Sequence, residues 1–174
     1  MTTTLPAHPS RSREALRHVF GVRPAAPLVD AALTAARVAL AWIFIYYGAG
    51  KLFGAFNQGG IHGTSLYFSN TAHLHPGGFF ALLGGLIEFG GGIAMALGFA
   101  TRLAGLALFG DMVMAMITVT WATGINATPG YQVNLAVGVL ALMVALLGAG
   151  RFSIDAVLER RLLARAERAS RTES

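Results

Sequence analysis

The stretch ALLGGLIEFGGGIAMALGF, residues 81–99, holds a single charged residue, Glu88, in an otherwise apolar and glycine-rich run. Two further stretches repeat the pattern: LAGLALFGDMVMAMITVTW, residues 103–121, carries only Asp111, and AALTAARVALAWIFIYYG, residues 31–48, carries only Arg37. About 20 such residues cross the hydrocarbon of a bilayer as a helix. With 55% of 174 residues hydrophobic and only 12% charged, the chain reads as an integral membrane protein. The runs predict spans at residues 30–53, 78–100, 103–123 and 131–150, an all-α transmembrane four-helix bundle. A charge at the bilayer centre costs about 2.5–3.5 kcal/mol. Arg37, Glu88 and Asp111 are therefore expected to face inward and to mark the site of any chemistry.

The basic residues give the orientation, because Lys and Arg are retained on the cytoplasmic side. Of the 13, Arg37 and Lys51 fall in the first span; the rest lie in the leader, in the turn at Arg102 or in the tail from Arg151 onward. Residues 54–77 and 124–130 contain no Lys, Arg, Asp or Glu, so both termini are expected inside. Three segments follow: a cytoplasmic leader over 1–29, a transmembrane domain over 30–153, and a basic amphipathic tail over 154–174. The first span is too long for a signal-peptide core and has no A-x-A-like site after it, so it is expected to stay in the mature protein. In the leader, SREALRHVF suggests a short helix on the membrane surface. In the tail, Ser153 can cap a helix, Asp155 suits its positive end, and Ile154, Val157, Leu158 and Leu162 recur at helical spacing. Arg160, Arg161, Arg165 and Arg168 then meet lipid head groups or solvent. The +5 net charge reads as membrane topology and attraction to anionic lipid, not as nucleic-acid binding.

No cysteine is present, which removes disulfides, thiolate metal sites and iron–sulfur clusters. The five histidines, His8, His18, His62, His73 and His75, all lie outside the spans, which excludes haem held between two transmembrane histidines. HLHP at 73–76 lacks the spacing and acidic companions of a metal site, so no metal is expected. TSLYFSN, residues 64–70, is expected to form a short interfacial helix with Tyr67 and Phe68 at head-group level.

Inside a bilayer, close packing through small residues holds helices together. Gly84, Glu88 and Gly92 are spaced by four, as a small-residue face requires, and Asn134, Gly138, Ala141, Ala145 and Gly148 form a similar stripe in the fourth span. At 1.5 Å of rise per residue, Arg37 and Asp111 come out at about one depth, with Glu88 roughly one turn farther out. An Arg37–carboxylate pair is the natural expectation. Phe44, Gly48 and Lys51 share the face of Arg37, with Tyr47 beside it. Two acids to one arginine leave a carboxylate in need of a proton, a water, a ligand or Lys51. The polar-core and ligand-binding candidates are thus Arg37, Tyr47, Lys51, Glu88, Asp111 and Asn134, with Glu88 and Asp111 as the acid–base candidates. Lys51 is expected to flank a pocket shared by spans one, two and four, walled by Asn134.

YYGAGKLFG (46–54), GGLIEFGGGIAMALGFATRLAG (84–105) and GAGRFSIDAVL (148–158) together resemble the DoxX family of small bacterial four-helix membrane proteins. Lys51, Glu88, Gly98, Arg102, Gly150, Arg151 and Asp155 occupy the positions that carry the likeness, which covers about residues 30–158. Ala149 stands where the family often has proline, and Gln132 and Asn134 stand where an acid is common. The resemblance implies a place in the cytoplasmic membrane and a link to quinol oxidase or thiosulfate:quinone oxidoreductase assemblies, or to oxidative-stress complexes; other relatives serve as cargo receptors. On this reading the chain is an accessory or anchor subunit of a redox complex and not a catalyst alone. No cofactor is expected within the chain, with quinone as the candidate ligand. The lipid bilayer is its first partner, with room for a soluble redox enzyme at the cytoplasmic face and for a homo-oligomer. The alternatives are a small permease or lipid-binding module with proton-relaying carboxylates, and a purely structural scaffold.

Overall fold

The computed structural model describes residues 27–125 and 130–172. The leader helix expected over SREALRHVF lies outside these residues. The described residues are all helical or irregular, with no strand. Six helices follow in order: α1 (Pro27–Phe53), α2 (Gly60–Asn70), α3 (Gly77–Leu97), α4 (Thr101–Ala115), α5 (Gln132–Leu147) and α6 (Ile154–Thr172). A π turn, Met116–Thr120, extends α4. Threonine hydroxyls that bond back to the carbonyl four residues earlier loosen the helical ladder. Thr118 does so to Met114 at 2.7 Å, and Thr120 to Met116 at 3.5 Å.

Three helical stretches, Pro27–Phe53, Gly77–Leu97 and Thr101–Thr120, are long and apolar enough to cross a membrane. The fourth expected span, 131–150, is a shorter apolar helix of 16 residues, α5. It stops at Leu147 because Gly148 and Gly150 turn to φ 93 and 73, conformations that glycine adopts without steric penalty. At the C-terminus of α3, Gly98 (φ 64) closes a Schellman turn, with its own N–H bonded to Met95 O and the Phe99 N–H to Ala94 O.

The helix α1 packs most extensively on α3, and α4 on α5, with α3 and α4 joining the two pairs. Their shared core is Leu40, Phe44, Met95, Leu108 and Val144, each no more than 1% exposed. Glycines set the spacing. A Cβ on Gly48 would sit 2.4 Å from the Phe89 backbone nitrogen, and one on Gly105 would sit 2.8 Å from Ala141 O. Neither backbone could stay where it is. The outward surface carries large apolar side chains such as Trp42, Leu103 and Leu146, as expected of helices bathed in lipid.

Candidate functional site

Chemistry concentrates in two clusters at opposite ends of the helical core. At the end nearest α6, Arg37 is 2% exposed. Its Nε donates to Met95 O at 3.1 Å, Nη1 to Ala149 O and Nη2 to Phe152 O at 3.0 Å. The last carbonyls of a helix lack intrahelical partners and carry the negative end of its dipole. One guanidinium thus ties the C-terminal end of α3 to the segment 148–153 that leads from α5 to α6. Gly98 makes this possible, since a Cβ there would lie 2.8 Å from the Arg37 guanidinium carbon.

The expected pairing of Arg37 with Asp111 or Glu88 is therefore corrected. Equal depth would require α1 to start level with Ala100 and Arg102. In the fold α1 begins well beyond that plane, so Asp30 meets the loop at Arg151 and Arg37 meets the loop ends. Main-chain carbonyls, invisible to a count of charged residues, take the place of the carboxylate.

Asp155 performs the complementary task. Its carboxylate accepts the N–H groups of Ala100 at 2.8 Å and Thr101 at 3.0 Å. These are unsatisfied donors at the positive end of α4, so Asp155 caps a neighbouring helix more than its own. Ser153 does cap α6, accepting the Ala156 N–H at 3.1 Å while donating to Gly150 O at 2.7 Å. Asp30, fully buried, accepts the Arg151 N–H at 3.0 Å. It was missed in the sequence, although an acid in the first turn of an apolar span was the available signal.

About 15 Å away, by the ten residues of α3 between Glu88 and Gly98, lies the second cluster. Lys51 Nζ donates to Glu88 Oε1 at 2.6 Å. Asp111 lies against Glu88 and within electrostatic reach of Lys51, with its Oδ1 over Gly84. Glu88 is 2% exposed. Three helices supply the three groups: α1 the cation, α3 and α4 the acids.

These residues line a cavity of about 1030 Å³. Of the six residues singled out in the sequence, Tyr47, Lys51, Glu88, Asp111 and Asn134 all border it, and Arg37 does not. Apolar walls come from Phe44, Leu83, Ile87, Leu106 and Val137. The segment TSLYFSN is part of α2, and Tyr67 and Phe68 face the cavity. Asn134 Nδ2 donates to Thr120 Oγ1 at 3.2 Å, linking α5 to the π turn, a distortion common at functional sites. Thr120 and Gln58 also line the cavity; both are uncharged, and no sequence signal separated them from other polar residues. Toward α6 the space is filled by Leu40, Met95, Leu108 and Val144.

Comparison with known proteins agrees with this arrangement of motifs. The DoxX family model matches residues 32–121, and the model for the TQO small subunit DoxD matches residues 77–170. The inner membrane protein YqjF of Escherichia coli (strain K12) is 31% identical over 136 residues, covering 77% of this chain and 97% of the relative. No solved structure matches. The matched stretches contain Arg37, Lys51, Glu88, Asp111 and Asp155, which build the two clusters with Asp30, and the chain belongs to the DoxX family.

Proposed function

We propose that this protein is a multi-pass bacterial inner-membrane protein, a four-helix transmembrane bundle with both termini in the cytoplasm. In this reading it is an accessory subunit of a quinone-linked redox complex. The observation that carries the reading is the amphipathic cavity, with Lys51, Glu88 and Asp111 on one wall and apolar side chains around them. Its volume suits a ring with a lipid tail. Lys51 Nζ and the Tyr47 hydroxyl can donate to ring oxygens, and the carboxyl groups can accept from ring hydroxyls. Bound quinone would supply the redox chemistry; the chain's own residues would hold the head group, exclude water and handle protons at Glu88 and Asp111. The match to the TQO small subunit model supports the link to thiosulfate:quinone oxidoreductase assemblies.

Basic residues support the orientation, since Arg102, Arg151 and the arginines of α6 gather at one end. The same arginines make α6 the surface for a soluble partner enzyme. The filled half below the cavity favours a blind binding site over a permease pathway.

The test is purification of the full chain in mild detergent, followed by solvent extraction for quinone and identification of soluble proteins that copurify. Bound quinone in wild type, lost in Glu88→Gln at matched protein level together with the cell's redox-stress phenotype, is the expected result. A quinone-free protein that also fails to bind added decylbenzoquinone would overturn the ligand assignment.

A further inference from the structure

The second cluster contains a contradiction if both acids are ionised. Glu88 Oε1 is used by Lys51 at 2.6 Å. Glu88 Oε2 and Asp111 Oδ2 are both buried, with no surface open to water and no hydrogen-bond donor among the described residues. The two side chains nevertheless lie within hydrogen-bonding reach of each other. Two ionised carboxylates so close in a low-dielectric interior repel, and each leaves a buried oxygen without the donor that a buried acceptor requires.

Among the described residues no second cation lines the cavity. The titratable groups that share its wall with the pair are Lys51 and Tyr47 from α1 and Tyr67 from α2, and of these only Lys51 is a cation. Arg37 is committed to three carbonyls at the other end of the core. With both acids ionised the trio carries a net charge of −1; with one proton added it is neutral, and both oxygens gain a partner in a single O–H···O bond.

We propose that Glu88 and Asp111 form a proton-binding site, sharing one proton between Glu88 Oε2 and Asp111 Oδ2 with Lys51 as the fixed counter-ion. Proton-sharing carboxyl pairs arise wherever two acids are forced together, because both cannot ionise at close range. The arrangement stores one proton at the wall of the cavity, next to the place where a ligand's oxygen would lie. The use of that proton by a ligand rests on the cavity reading above; the proton itself does not.

Infrared spectroscopy of the reconstituted full-length protein at neutral pH tests this by the C=O stretch of a protonated carboxylic acid, identified by its shift in heavy water. Wild type should show one such group in the bundle. Glu88→Gln and Asp111→Asn should each abolish it, since a lone remaining acid ionises against Lys51. Lys51→Met should keep it or add a second, and Lys51→Arg should leave it unchanged. Absence of the band in wild type overturns the proposal whatever the variants do. A band that survives both acid substitutions, in protein that keeps its helical circular dichroism, overturns it as well. Decylbenzoquinone binding measured on the same samples separates the two readings. The band without binding leaves the proton site and removes the quinone role, whereas binding without the band does the reverse.

Discussion

Replacing Arg37 with Met tests the claim that a guanidinium, rather than an ion pair, closes one end of the helical core. Methionine refills much of the aliphatic volume and leaves the carbonyls of Met95, Ala149 and Phe152 without their shared donor. Met95 O keeps the Gly98 N–H, and an orphaned buried acceptor costs about 1–3 kcal/mol, so the other two would total roughly 2–6 kcal/mol. Removing the guanidinium also returns its own burial cost, of several kcal/mol. Water can reach the exposed Phe152 segment and satisfy one carbonyl. With Ala149 O as the one acceptor left bare, a net loss of no more than about 1–3 kcal/mol follows. Arg37→Lys should recover little of it, since an ammonium lacks the planar fork that reaches three acceptors. The assay is reversible unfolding in bicelles, run as a double-mutant cycle with Glu88→Gln and Asp111→Asn. Sites this far apart should add to within about 0.5 kcal/mol. Wild-type stability in Arg37→Met, or a coupling above about 1 kcal/mol to either acid, would refute the reasoning.

Other expectations are narrower. Gly48→Ala drives a methyl into the Phe89 backbone and should cost about 3 kcal/mol or more, or abolish folded yield. Gly90→Ala, with nothing within 4 Å of the new methyl, should stay within about 0.5 kcal/mol of wild type; equal effects of the two would remove close α1–α3 approach as the cause. Asp155→Asn turns one of two acceptors at the start of α4 into a donor facing an N–H. It should cost about 1–3 kcal/mol and speed amide exchange at Ala100 and Thr101, and unchanged exchange would count against the cap. Ala100 sits at φ 45, a left-handed conformation that costs an alanine about 1 kcal/mol, so Ala100→Gly should raise the melting temperature; a fall would show that the methyl contributes packing outweighing the strain.

Hydrophobic runs, positions of basic residues and single buried charges are properties of the chain itself, because lipid and water sort side chains before any helix meets another. For that reason the sequence alone determined the membrane class, the three long spans, the α6 helix and its Ser153 cap, and the cavity residues Tyr47, Lys51, Glu88, Asp111 and Asn134. It could not determine which helix end stands opposite which. A shift of α1 along its axis leaves its own hydrogen bonds intact, so nothing within the segment reveals it. Only the packed structure decided that Arg37 meets the carbonyls of Met95, Ala149 and Phe152, that Asp155 caps α4, and that Lys51 is the cation for Glu88. Those partners are largely main-chain atoms at helix ends, present in every sequence and given their role only by tertiary position.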